Sequence, residues 1–266
     1  MSRRLHLAVR VDGAGGPGGF PALARPARTA ERGLFDFVLV RGRRSPVPEP
    51  VTLLDALAAV TAHTGLAATV DVSGVEPFQL VRRLATLDGL SGGRAGWHPV
   101  FGGTSYVDTV REVSETDFAV PSSPQGRPVL IVTGECEEQR ECAAARADVL
   151  VTSYGPVEAG RAVYADVKRR LARYGRRAGE LRILADAGPA GGVFDGTATG
   201  ARRSAAELEA FVREGAADGF LLGSGGLEEF VDRVVPLLQE RGAFRTAYEG
   251  ATLRSHLGLG APAGKG

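Results

Sequence analysis

EPFQLVRRLATLDGLSGGRAGW, residues 76–97, asks two different things of the backbone. Leu80, Leu84, Leu87 and Leu90 recur at spacings of four, three and three, the buried stripe of a helix. The Gly92-Gly93 pair then supplies a stop. Arg94 to His98 follows as a strand entering a parallel sheet, with Trp97 and His98 near its carboxyl end, where barrel and doubly wound folds place their chemistry. Side chains alternate along a strand, so these two face opposite ways. The bulky indole suits the layer between strands and helices, which leaves His98 pointing inward.

The same strand-then-helix unit repeats on both sides of this stretch. Before it come a strand at Leu5–Val11, a helix around Leu23–Leu34, a strand at Phe37–Val40, a helix at Val51–His63 and a strand at Leu66–Val72. Helix Pro77–Leu90 and strand Ala95–Val100 form the stretch itself, and a short helix, rich in β-branched residues, is read at Tyr106–Val113. After it come strand Val129–Val132, helix Glu135–Arg146, strand Val149–Thr152, helix Val157–Tyr174, strand Leu181–Ala185, helix Ala205–Glu214, strand Phe220–Leu222 and helix Leu227–Gln239. Eight such units predict a single closed (β/α)8 TIM barrel, because right-handed crossovers put every helix outside one continuous parallel sheet. The rival, an open doubly wound sheet, calls for a phosphate-binding turn after the first strand. DGAGGPGGF at residues 12–20 is Gly-rich but holds Pro17 and no GxGxxG.

Length agrees: 266 residues match the ~250 of one such barrel, so the whole chain, 1–266, reads as one domain with a tail at 243–266. A formal charge of +1 offers no electrostatic case for nucleic acid. No apolar run reaches the ~18 residues that cross a membrane, and MSRRLHLAVRVDG alternates as a strand rather than forming a signal peptide. The expected location is the cytoplasm. Cys136 and Cys142, six apart, fit no common zinc or disulfide framework and read as free thiols, and no metal is expected.

Residues 76–97 resemble the bacterial luciferase-like flavin monooxygenases, and most closely their nitrilotriacetate and dibenzothiophene-sulfone monooxygenase branch. SPQGRPVLIVTG at 123–134 is similar to that branch's strand leading to the flavin phosphate site. EPVTLLDALAAVTAHTGLAATV at 49–70 and LEEFVDRVVPLLQERGAFRTAYEGATLRSHLGL at 227–259 resemble its second helix with third strand, and its last helix with tail. The resemblance implies a two-component enzyme in which reduced FMN from a separate flavin reductase reacts with O2 and a small organic molecule is oxygenated, for instance in specialised metabolism. It also implies a homodimer, and a tail that packs on the barrel or on a partner subunit.

The same resemblance puts the flavin phosphate on the turn after strand 5, at Gly134, Glu135 and Cys136, and the position of His98 against the flavin ring. Glu135, Glu137 and Glu138 oppose a phosphate there, because carboxylates already complement the positive helix end. Asp71 and Ser73 at the end of strand 3 are candidate polar contacts, with Asp71 and His98 the candidate catalytic pair and Ser73 a candidate cofactor contact. Arg41, in a cluster with Arg43 and Arg44, suits a substrate carboxylate or phosphate. Tyr154 is a candidate aromatic wall for the cofactor and Tyr106 for the substrate. The spans 101–122 and 188–204 are short where the family carries long active-site insertions. A second reading follows: a flavin-independent homologue, without cofactor, that uses the mouth for ligand binding or for non-redox acid–base catalysis such as isomerisation or cyclisation. In either reading an imidazole at 98 that titrates near neutral pH moves the proton.

Overall fold

The computed structural model describes residues 4–12, 19–42, 49–100, 103–114 and 123–262. Its strands are β1 (His6–Asp12), β2 (Phe37–Arg41), β3 (Gly65–Asp71), β4 (Ala95–Val100), β5 (Val129–Thr133), β6 (Val149–Ser153), β7 (Arg182–Pro189) and β8 (Gly219–Gly223). All eight pair in parallel and in chain order, and β8 closes on β1 with His6 opposite Gly219. Between them lie α1 (Gly19–Arg32), α2 (Pro50–Ala58), α3 (Pro77–Leu90), α4 (Gly103–Ser114), α5 (Glu137–Arg146), α6 (Val157–Leu171), a short α7 (Ala190–Val193) and α8 (Ala198–Arg213). Helices α9 (Leu227–Arg233) and α10 (Val235–Glu240) follow the last strand, and α11 (Leu253–His256) lies in the tail. Among the described residues no helix is long and apolar enough to cross a membrane.

Alternation along each strand builds two apolar layers. Leu7, Val9, Val38, Val40 and Trp97 face the helices, whereas Ala8, Phe37, Leu39, Ile131, Val151 and Leu221 fill the inside of the barrel. Trp97 is 4% exposed in the outer layer, as the alternation requires.

A buried Asp stands immediately before three of the four even strands, β2, β6 and β8. In LFDF, RADV and AADG, the buried carboxylates of Asp36, Asp148 and Asp218 accept from the backbone N–H of Leu7 (2.8 Å), Leu130 (3.0 Å) and Ile183 (2.9 Å) on the preceding strand. Such a carboxylate must be paired to stay ionised in the interior. Arg245 and His6 serve Asp36, Arg254 and Arg127 serve Asp148, and Lys168 with the Tyr164 hydroxyl serves Asp218. Burial alone would raise these three carboxyls; their cationic partners outweigh it and hold each below the usual range.

Two of those arginines belong to the tail, which therefore forms the floor of the barrel. Leu253, Leu257 and Leu259 join the same apolar cluster as the barrel interior. Gly65 and Gly96 make the room: a β-carbon at either would press on the Leu253 side chain.

Strand β7 runs on to Pro189, α7 was not expected and α8 begins at Ala198 rather than Ala205; three further differences have a visible cause. Leu90 is exposed, because a 3.6-residue period carries the stripe from Leu87 to Ser91, which is buried. Helix α2 ends at Ala58 rather than His63, since the Arg94 guanidinium draws off the carbonyls of Thr61 (3.0 Å) and Thr64 (2.9 Å) while Glu31 takes the amides of Ala62 and His63. The last expected helix, 227–239, is broken at Val234 into α9 and α10, with Pro236 in the first turn of α10, where its missing N–H costs nothing.

Candidate active site

The inward side chains change from apolar to polar at the carboxyl ends of the strands. They enclose a cavity of about 260 Å3, just under the ~300–1,000 Å3 of ordinary small-molecule sites. Arg10 of β1, Arg41 of β2, Thr69 of β3 and His98 of β4 line one side. Thr133 of β5, Ser153 of β6 and Asp186 of β7 line the other, with Glu135 at the rim and Leu39, Val151 and Leu221 below. Arg10 reaches across β8 to an ion pair with Asp186, whose other oxygen accepts from Gly188 N–H at the irregularity in β7.

His98 is held from both sides. Its Nε2 lies 2.9 Å from Thr133 Oγ1 and its Nδ1 3.4 Å from Thr69 Oγ1. Burial first, and the positive charge of Arg41 second, lower its pKa to about 4. This corrects the expectation of an imidazole that titrates near neutral pH. At physiological pH His98 is a neutral donor–acceptor, and the hydroxyls of Thr69 and Thr133 can each match either ring nitrogen.

The other sequence candidates divide. Arg41 lines the cavity and has no ion-pair partner among the described residues; Arg43 and Arg44 lie outside those residues. Asp71 is exposed and turns back on its own loop, accepting from Ser73 N–H at 3.0 Å, so neither Asp71 nor Ser73 enters the cavity. Tyr106 donates its hydroxyl to Val75 O at 2.9 Å and pins α4 to the loop before α3. Tyr154 points away from the mouth: its ring meets Phe211 of α8 at a tilt and Phe220 of β8 edge-on, at centroid distances of 5.1 and 6.0 Å, because the residue after Ser153 takes the opposite face of the strand. Both tyrosines are thus structural contacts rather than walls of the cavity.

The turn after β5 does not fit a phosphate. Glu135 N–H and Cys136 N–H both donate to Gln139 Oε1, at 2.9 and 3.2 Å, and Gly134 N–H donates to Val151 O at 2.8 Å. Of these three successive amides two are satisfied by the Gln139 side chain of a capping box and the third by β6, with Glu137 and Glu138 in the first turn behind them. The cavity itself is different. A neutral imidazole, hydroxyls of Thr69, Thr133 and Ser153, and a guanidinium at one edge suit the mixed donors and acceptors of a flat heteroaromatic ring such as that of a flavin.

Arg10, Thr69, Thr133, Ser153 and Asp186 were not among the sequence candidates. Their signal is present all the same: each is the polar residue that ends an apolar run on the inward phase, as in LAVR, AAT, LIVT, LVTS and ILAD.

A family model described as luciferase-like monooxygenase matches residues 4–110. One subunit of pristinamycin IIA synthase from Streptomyces pristinaespiralis is 30% identical, over 98% of this chain and 97% of its own. Nitrilotriacetate monooxygenase component A of Aminobacter aminovorans is 27% identical over 90% of each. The first of these alignments spans 416 positions although this chain has 266 residues, so the shared frame contains long stretches that this chain lacks. Among solved structures, the EDTA monooxygenase of Chelativorans sp. BNC1 superposes with a TM-score of 0.83 over 97% of this chain and 99% of its own, at 20% identity, and so shares the fold.

Proposed function

Because this chain belongs to the luciferase-like monooxygenase family, we propose that it oxygenates a small anionic organic substrate at the barrel mouth, using reduced FMN delivered by a separate flavin reductase. The observation that supports this reading most is the polar cavity built by the carboxyl ends of seven of the eight strands, with His98 fixed between Thr69 and Thr133 beside Arg41. Reduced flavin supplies the two electrons with which O2 gives one oxygen atom to the substrate and one to water. The protein contributes position and charge. The two threonine hydroxyls, oriented by His98, keep spare hydrogen-bonding capacity that would serve the ring edge. Arg41 pairs with a carboxylate or phosphate of the substrate, in the bidentate manner of guanidinium groups. The Arg10–Asp186 pair fixes the opposite wall and leaves Arg41 as the cation that a ligand can neutralise.

A flavin-independent use of the mouth is less well supported: the kinship runs end to end with monooxygenases, and a histidine with a pKa of about 4 is a poor acid–base catalyst at neutral pH. A cytoplasmic enzyme assembled as a homodimer is the accompanying reading, as it keeps the protein beside a supply of reduced flavin. The test is reconstitution with FMN, NADH and a free-standing flavin reductase, offering a panel of small carboxylates and phosphates under 18O2. Label appearing in one product is the expected result. Unlabelled, unchanged substrates together with no perturbation of the spectrum of reduced FMN would overturn the proposal.

A further inference from the structure

We propose that the arginine-lined hollow on the amino-terminal face of the barrel, at the end opposite the mouth, is a second binding site, for a small molecule bearing multiply charged phosphate. The hollow measures about 480 Å3, within the ~300–1,000 Å3 of small-molecule sites. Arg111, Arg127, Arg146, Arg176, Arg177 and Arg254 line it, against the carboxylates of Asp148 and Glu180. They arrive from separate parts of the chain: the ends of α4 and α5, the approaches to β5 and β7, and α11 in the tail.

A purely structural latch needs one guanidinium for each carboxylate; Arg146 meets that requirement with Asp108, whereas Asp148 and Glu180 each hold two. Asp148 receives Arg254 through two bonds of 3.0 Å and Arg127 through a third of 3.2 Å. Glu180 is shared by Arg177 at 2.8 Å and Arg176 at 3.9 Å. The Arg176 guanidinium is anchored by neutral groups, the carbonyls of Ala143, Ala144, Ala147 and Glu180, which orient its charge without cancelling it. Arg254 Nε is a buried donor with no partner among the described residues. Burial is what depresses the proton affinity of Arg176; the carboxylates of Asp148 and Glu180 work against it, and the like charges of Arg127 and Arg111 add to it more weakly.

A phosphate is the chemistry that relieves this arrangement. Planar guanidinium forks pair with its oxygens bidentately, and several forks around one hollow favour an anion of charge two or more. Tyr174, tied by its hydroxyl to Glu141 at 2.7 Å, presents a fixed and partly exposed ring at the rim, on which a nucleobase can stack. A bound ligand joins the tail at Leu259–Pro262 to the α6–β7 connection, and so stabilises the folded chain by mass action.

Two probes, inorganic pyrophosphate and AMP, test this by calorimetric titration and thermal unfolding of the full chain at constant ionic strength. Saturable binding of pyrophosphate with a rise in Tm is expected; tighter binding of AMP assigns the Tyr174 face to a base, and weaker binding assigns the site to phosphate alone. The double variant Arg111→Gln/Arg177→Gln should bind about tenfold more weakly or worse. Should that variant fold poorly, hydrogen exchange on the unaltered protein gives the answer: pyrophosphate should protect amides in 171–180 and 253–262. A Tm rise matched by chloride at the same ionic strength, unchanged affinity in the double variant, or protection at β1 and β2 of the mouth instead would each overturn the proposal.

Discussion

His98→Asn isolates the most strongly perturbed group in the mouth. With a folded pKa of about 4, only about one native imidazole in a thousand is charged at pH 7. The unfolded imidazole titrates near 6.5. A depressed histidine therefore costs stability on acidification: below pH ~6.5 the unfolded chain takes up a proton that the native chain refuses until about pH 4. Between pH 7.5 and pH 5 the difference amounts to nearly one and a half pH units of proton uptake, or about 2 kcal/mol at ~1.36 kcal/mol per unit. Asparagine keeps a donor and an acceptor for Thr133 and Thr69 but has nothing to titrate. Urea unfolding of both proteins at the two pH values should show the wild type losing about 2 kcal/mol more than the variant. His256, whose pKa burial also lowers, contributes equally to both and cancels. Identical pH dependence in the two proteins would mean that His98 is charged or solvated in the native state, and the donor–acceptor role given to it would fall. Activity adds a second readout. His98→Ala removes both hydrogen bonds and should slow turnover, whereas His98→Asn should retain most of it, with no inflection between pH 5.5 and 8 attributable to residue 98.

Arg254→Ala removes the bidentate partner of Asp148 and should destabilise the fold by about 3–5 kcal/mol, a Tm loss of ~6–20 °C by calorimetry. Because Asp148 is depressed in the native state, that contribution is complete at neutral pH and fades as pH falls below the ordinary carboxylate range, so wild type and variant should converge in acid. Oxidised FMN should bind no tighter than about millimolar, since the amides after β5 are satisfied by Gln139; Gln139→Ala combined with Glu135→Ser should tighten it, and a low-micromolar constant for the wild type by titration would show that the phosphate reaches that turn. Arg41→Gln should raise KM for an anionic substrate by about tenfold or more with little change in kcat, and equal losses in both would place Arg41 in the transition state instead.

The barrel was legible because its signals are local and repeated. An apolar strand, a glycine or Asx stop and an amphipathic helix recur eight times, and the β4 and α3 bounds at residues 95–100 and 77–90 coincide with those read from the residues. Register-dependent features were legible only where a bulky neighbour broke the tie: Trp97 fixed the phase of β4 and hence placed His98 inward. Tyr154 was misplaced because no such neighbour marks the end of β6, and the phase had to be counted from Ser153. The partners that set behaviour were not legible at all. Arg41 acts on His98 from another strand, Gln139 closes a turn through a side chain that alone reads as one more helix former, and Arg94 ends α2 from more than thirty residues away.

The barrel floor carries a consequence for how the chain assembles. Leu253 fills space left by Gly65 and Gly96, Arg254 joins Asp148 across 106 positions, and Arg245 joins Asp36 across 209. Until the tail arrives, the inside of the cylinder is open below and two buried carboxylates lack their chief counter-charges. On a ribosome those positions emerge after every strand has been made, so the nascent barrel must wait in a looser form, and final closure is set by contacts of high sequence separation that form slowly. The release of 243–262 would open the core to water from below, so limited proteolysis is expected to cut first where the tail meets the barrel.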